Sequence, residues 1–326
     1  MPSERLVIGT RGSRLALRQA ELIASSLRSL HPSLEVELAV IQTKGDLVLD
    51  RALSRIGDKG LFVTEIENAL LERRVDLAVH SCKDLPSAIP TGLVLAAFPA
   101  RADARDALVS RHGLGLAALP HGARIGTSSL RRGCQLRAYR PDSEVVNLRG
   151  NVDTRLRKGA TDDYDGIVLA AAGLERLGLA GSVTEFLPPE IMLPAVAQGA
   201  LALECRANDE RVAALLRPLD DAATRAAVQA ERAFLRRLEG GCQVPIAAYA
   251  VLDGFAAKAL TPRIHLRGLV GTADGMQIVR GEREAPAGSA QELGRDLAEE
   301  LLRAGADEIL QRLSRVVPAA VAPEEA

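Results

Sequence analysis

The sequence predicts an α/β protein of two lobes followed by a small α+β domain. Three observations carry that prediction. A strand-loop-helix unit occurs twice with the same Ile-Gly-Thr turn, at Ile8 to Thr10 and Ile125 to Thr127. Each copy is followed by a later strand that ends in a small-residue or polar loop. Near Asp221 the grammar changes to one helix, three strands and a closing helix. At 326 residues the chain also exceeds what one hydrophobic core usually organises.

The first unit, RLVIGTRGSRLALRQAELIASSLRSL, reads as an apolar strand, a loop holding Gly9 and Gly12, and an amphipathic helix with Ser13 as its N-cap. VDLAVHSCKDLP, residues 75–86, is the later strand of that lobe. FPARADARDAL, residues 98–108, crosses to the second lobe. There RIGTSSLRRGCQLRAYR repeats the first design, with Arg131 and Arg132 in the first helical turn, and YDGIVLAAAGLERLG supplies the later strand. The proline-rich LPPEIMLPAVAQGALALE, residues 187–204, returns to the first lobe.

The last domain opens with the helix TRAAVQAERAFLRRLEGG, stopped by Gly240 and Gly241. The strands QVPIAAYAVL, RIHLRGLV and MQIVRGEREA follow, and SAQELGRDLAEELLRAGADEILQRLSR reads as one helix. The predicted units are residues 1–99 with 200–217, residues 100–199, residues 218–315, and a disordered tail over 316–326. Ligands of parallel sheets bind outside the carboxyl ends of the strands, so the four strand-end loops point to one crevice.

Composition narrows the chemistry. With 47% hydrophobic residues, no long apolar run and no basic-then-apolar start, the chain reads as cytoplasmic and without a membrane anchor. A formal charge of -1 and 2% aromatic residues argue against a nucleic-acid partner. Cys82, Cys134, Cys205 and Cys242 are too scattered for a disulfide framework or a zinc site. The five histidines, His31, His80, His112, His121 and His265, have no metal-ligand spacing. Lys44 and Lys59 lie in glycine-containing loops that match no nucleotide-binding pattern.

Asp84 in HSCKDLP reads equally as a turn former or as a crevice carboxylate that moves protons, with Lys83 favouring its ionised form. His80 and Cys82, two apart on a strand, would face one side, yet no helix start follows to support a thiolate. Arginine is the default cation here, with 36 arginines against five lysines, so a single arginine means little. As a group, Arg11, Arg131, Arg132, Arg149, Arg155 and Arg176 recur near helix starts or strand ends, where forked cations and backbone N–H groups both suit anions. Cys242, between two glycines and a strand, reads as filler, catalytic thiol or covalent anchor. Residue physics leaves all three open.

Eight blocks in register decide more: TRGSRLALRQA, GDKGLF, HSCKDLP, GTSSLRR, NLRGNVDTRL, LAAAGLERL, LPAVAQGAL and LEGGCQVPIAAYA. Together they resemble the signature blocks of the porphobilinogen deaminase family over residues 5 to about 315. The resemblance implies two lobes like those of type II periplasmic binding proteins and a third domain whose loop cysteine, here Cys242, holds a dipyrromethane cofactor by a thioether. It implies a transferase, with no metal, that joins four porphobilinogen molecules head to tail with loss of ammonia and releases hydroxymethylbilane. It assigns proton transfer to Asp84 with Lys83 beside it, through a cationic azafulvene-type species. It assigns the cofactor side to Ser81, Lys83, Asp84, Thr127, Ser128, Ser129, Arg131, Arg132, Arg149, Gln198 and Cys242. Substrate binding falls to Arg11, Ser13, Lys59, Phe62, Arg149, Arg155 and Arg176. The implied enzyme is monomeric.

The chain departs from the family pattern at Arg14 for proline, Arg18 for tryptophan, Cys82 for methionine and Ala197 for glycine. Two competing readings are a non-catalytic anion-binding protein, which needs neither Cys242 nor Asp84, and a cysteine acyl-transfer enzyme, which needs a histidine at its thiol.

Overall fold

The computed structural model describes residues 4–43, 45, 63–238, 244–253 and 262–316. Strand β1 (Glu4–Thr10) leads into helix α1 (Arg14–Leu30). Ser13 caps that helix by accepting the Ala16 N–H at 3.3 Å. Ala20, Ile23, Ala24 and Leu27 form the apolar stripe that α1 buries in the first lobe. Strand β2 (Leu34–Val40), helix α2 (Thr64–Leu71), strand β3 (Leu77–Ser81) and strand β4 (Leu93–Ala97) complete the outward path.

The chain then crosses and forms β5 (Asp106–Ser110), β6 (Arg124–Gly126), α3 (Leu130–Tyr139), β7 (Glu144–Val146), α4 (Val152–Gly159), β8 (Gly166–Ala170), α5 (Ala171–Arg176) and β9 (Glu185–Leu187). It returns as β10 (Leu201–Arg206) and α6 (Glu210–Leu216). The third domain holds α7 (Ala222–Leu238), β11 (Ile246–Asp253), β12 (Arg263–Gly271), β13 (Ile278–Pro286), α8 (Ala290–Leu301) and α9 (Asp307–Val316).

The two lobes have matching sheets, ordered β2-β1-β3-β10-β4 and β7-β6-β8-β5-β9. In each, the first three strands are parallel, and the next, β10 or β5, runs antiparallel to both of its neighbours. That antiparallel strand is the one arriving from the other lobe. Each lobe is therefore threaded by the crossing chain. The helices bridging parallel strands leave the carboxyl ends of β1, β3, β6 and β8 facing the gap between the lobes.

The third domain packs α7 and α8 on the sheet β11-β12-β13. Its core around Phe234, Leu266 and Leu297 is continuous with Val196, Ala197 and Ala200 of the return crossing and with Cys82 and Leu85 beside β3. The closing helix expected as one piece is two. Gly305 takes φ 105, outside the helical region and open without strain to glycine, so α8 and α9 meet at an angle there. The remainder of the predicted tail, residues 317–326, lies outside the described residues.

Candidate active site

Two adjoining cavities, about 530 and 440 Å³ with the solvent at their mouths included, share Leu15, Gln19 and Ser81; the larger lies between the lobes and the smaller against the first lobe. The larger is lined by Lys83, Arg132, Arg155 and Arg176, with no carboxylate among the described residues that line it. The smaller is lined by Arg11, Ser13, His80 and Asp84, and among the described residues Asp84 is its single acid.

The loop after β3 is held residue by residue. His80 Nε2 lies 3.0 Å from Glu204 Oε2 in the lobe core. Ser81 Oγ accepts from Gln19 Nε2 at 2.9 Å, and the Cys82 N–H donates to Ala200 O at 3.0 Å. Lys83 Nζ donates to Gln198 Oε1 at 3.3 Å. A single 3-10 turn, Cys82–Asp84, then carries the Asp84 carboxylate out to solvent in the crevice. Solvent also reaches Lys83, but the crevice walls desolvate its ammonium, which pulls its pKa down to about 8 against the opposing pull of Asp84. Cys82 begins the turn instead of continuing the strand. It is buried, and burial pushes its thiol up to about 12. With His80 held by Glu204, Cys82 and His80 do not form a nucleophilic pair.

The second lobe arranges its arginines in two layers. Arg131 and Arg132, each 5% exposed, both grip Asp106 on β5. Arg131 Nη1 donates to Asp106 Oδ2 at 2.7 Å, and Arg132 reaches Oδ1 from Nε at 3.0 Å and from Nη2 at 2.7 Å. Gln198 Nε2 joins the same Oδ1 at 3.0 Å. A chain of polar contacts thus runs from Lys83 of one lobe through Gln198 to Asp106 and Arg132 of the other. Arg132 still lines the crevice, because three of its contacts leave two of the five guanidinium N–H groups unused.

Arg155 and Arg176 form the outer layer. Burial lowers both to about 10, and Arg132 and Arg149 add repulsion at Arg155 while Asp84 offsets it. Arg155 Nε donates to Gly150 O at 2.8 Å, and Arg176 Nη2 to Gly199 O at 2.6 Å. Clustered cations that repel one another favour an anion between them. Thr127 and Ser129 sit behind this surface. Ser129 caps α3 through the Arg132 N–H, the Thr127 N–H donates to Val146 O, and Ser128 is exposed. None of the three lines either cavity.

Lys59, Phe62 and Cys242 lie outside the described residues. Among the described residues no group of three or more His, Cys, Asp or Glu is placed to hold a metal ion, and no helix is long and apolar enough to cross a membrane. Sequence reasoning missed Gln19, Asp106 and Glu231. Gln19 sits four residues after Leu15 on the crevice face of α1, a spacing the sequence did offer. Glu231, on α7, accepts from Arg101 Nη1 at 2.6 Å, Ala197 N at 2.5 Å and Ala250 N at 2.8 Å. It ties both crossings to the third domain. Ala197 has φ 57, a left-handed conformation that glycine adopts freely, which explains the glycine of the family pattern at this position.

The family model described as "Porphobilinogen deaminase, dipyromethane cofactor binding domain" matches residues 6–214, and "Porphobilinogen deaminase, C-terminal domain" matches 225–303. A curated porphobilinogen deaminase of Roseiflexus castenholzii is 56% identical over 305 residues, 94% of this chain and 98% of that protein. One from Syntrophotalea carbinolica is 54% identical over 323 residues, 99% of this chain and 100% of that protein. The solved BenM effector binding domain with its effector benzoate aligns with 66% of this chain and 90% of that chain at 15% identity and a TM-score of 0.40, too low to carry an argument.

Proposed function

Because the chain belongs to the porphobilinogen deaminase family, we propose that porphobilinogen is condensed in the interlobe crevice, with Asp84 moving the proton and the surrounding cations holding carboxylate arms. The enzyme is a transferase that polymerises porphobilinogen in tetrapyrrole biosynthesis on an attached dipyrromethane cofactor. The residue assignment rests on one observation: among the described residues a single carboxylate, Asp84, borders the smaller cavity, beside a larger one lined by cations and neutral groups. That donor set fits a ligand with several carboxylates, so the residues present suit the cofactor as well as the substrate.

The bound cofactor supplies the first nucleophilic pyrrole carbon. When bound, it would offer that carbon to porphobilinogen: a C–N bond of the substrate would break with loss of ammonia, a C–C bond would form to the free ring carbon, and that carbon would lose its proton. Asp84 accepts that proton and faces the positive charge that develops on the pyrrole nitrogen. Lys83 stays largely protonated at neutral pH and holds a carboxylate next to Asp84. Arg11, Ser13, Arg155 and Arg176 hold the incoming substrate, with Lys59, Phe62 and Arg149 assisting. Ser81, Thr127, Ser128, Ser129, Arg131, Arg132, Arg149 and Gln198 serve the cofactor side, Arg131 largely by fixing Asp106 and its neighbours.

Cys242 is the tether. In support, α7 ends at Leu238 and β11 begins at Ile246, so the structured elements on either side bracket it. Residues 1–99 with 200–217, 100–199 and 218–315 are the three domains in this reading, and the enzyme works as a cytoplasmic monomer. Intact-mass analysis of the purified chain tests the tether. An adduct of two linked pyrroles on the wild type that is lost in Cys242→Ser is the expected result, and an unmodified wild-type chain overturns it.

A further inference from the structure

Arg14 and Arg18, where the family pattern has proline and tryptophan, occupy one stripe of α1, one turn apart. Leu15 and Gln19, on the adjacent stripe, line the crevice. Across the gap Val152 lines the same cavity from α4, and Asp153 follows it. Arg14 Nη1 donates to Asp153 Oδ1 at 2.7 Å, so an ion pair spans the rim from one lobe to the other. Beside it the lobes are in apolar contact. A methyl group on Gly173 of α5 would stand 3.7 Å from Leu15 Cδ2 and 3.8 Å from Val152 Cγ2. Arg18 is exposed, and no described residue pairs with it.

The reaction sets the demand. Every ring added brings two more carboxylates, while the described residues of the cavities supply five cationic groups, Arg11, Lys83, Arg132, Arg155 and Arg176. A lengthening chain outgrows that set and the volume around it, and reaches the rim. The first cations it meets there on α1 are Arg14 and Arg18, and one of them already grips a carboxylate. The Asp153 carboxylate has the chemistry of a propionate arm and holds the position such an arm would take.

We propose that Arg14 and Arg18 form a rim subsite for carboxylate arms of the lengthening polypyrrole, closed by Asp153 while the chain is short and taken over by product arms when it is long. The proposal rests on the condensation reading above. Exchange of one carboxylate for another breaks the interlobe contact, so late additions loosen the rim as they gain hold of Arg14.

The test loads holoenzyme with limiting porphobilinogen, quenches, and reads the distribution of enzyme-bound chain lengths by intact mass for the wild type, Arg14→Gln and Asp153→Asn. Cofactor loading and the earliest adducts are expected to match the wild type in both variants. The longest adducts are expected to fall about threefold in Arg14→Gln, the scale an exposed ion pair commands, and to rise in Asp153→Asn, where the competitor is gone. High salt should deplete the longest adducts of the wild type more than those of Arg14→Gln. Unchanged distributions, a shift in the same direction for both variants, or loss of the earliest adducts in Arg14→Gln each overturn the subsite. A wild type that carries no pyrrole adduct overturns the condensation reading instead.

Discussion

Each lobe places a carboxylate on the strand it receives from the other, Glu204 on β10 and Asp106 on β5, and the two are treated differently. In the first lobe Glu204 is partnered by His80, and neighbouring Glu67 on α2 is pushed up to about 7 by burial and by the Glu204 charge. In the second lobe burial also pulls upward on Asp106, but Arg131 and Arg132 together hold its carboxyl well below the usual carboxylate range. Burial alone does not decide whether an acid is charged; the nearest guanidinium does. Asp84 belongs to neither case, since it stands at the end of a fixed turn with solvent on it. Among these acids it alone combines exposure to the crevice with a rigid mount.

The sharpest way to break that contrast is Asp84→Ala. Porphobilinogen consumption should fall by about 10²–10⁴-fold, the scale of a lost proton-transfer group, with the unfolding temperature unchanged. A variant retaining wild-type turnover would place the chemistry elsewhere. Asp106→Asn is the converse, a stability lesion first. It leaves two buried guanidinium groups without their counter-charge, and a loss of about 3–5 kcal/mol should be read from denaturant unfolding. Because the folded-state pKa of Asp106 is depressed, its contribution is present above the ordinary aspartate pKa and is lost as the pH falls below it. Acid unfolding of Asp106→Asn should accordingly lose part of the wild type's pH dependence below about pH 4.

Lys83 sharpens the comparison at the crevice itself. Its charge is lost as the pH rises through about 8, so KM for porphobilinogen should climb above that pH. In Lys83→Arg, whose charge persists, the rise should be absent from a KM–pH profile. Glu67 gives the smallest effect. A folded pKa raised to about 7 means the folded state holds its proton more tightly than the unfolded chain, so stability falls as the pH rises from the ordinary glutamate range to about 7. Glu67→Gln should flatten that slope in paired melts at pH 5 and pH 8.

Much of this was legible in residue order. The repeated Ile-Gly-Thr turn anticipated two related lobes, and Ser13 caps the helix predicted for it. The loop HSCKDLP could be located because a strand's carboxyl end in a parallel sheet must face the crevice. Asp106 could not be found that way. Its significance comes from Arg131, Arg132 and Gln198, which are 25, 26 and 92 positions away and meet it only through the crossing of the chain. Gly305 could not be read as a break because one glycine in an amphipathic pattern leaves the periodicity intact. The ion pair of Arg14 with Asp153 likewise joins residues 139 positions apart.

Glu231 carries a practical consequence for anyone recombining this enzyme with its relatives. Because one side chain is shared by both linkers and by the first strand of the last domain, that domain is not a detachable cartridge. A graft cut at residue 221 would carry the acceptor away from Arg101 and from the backbone of Ala197, which stay behind. Functional hybrids should therefore demand that position 101, the 197–199 segment and helix α7 be inherited from the same parent.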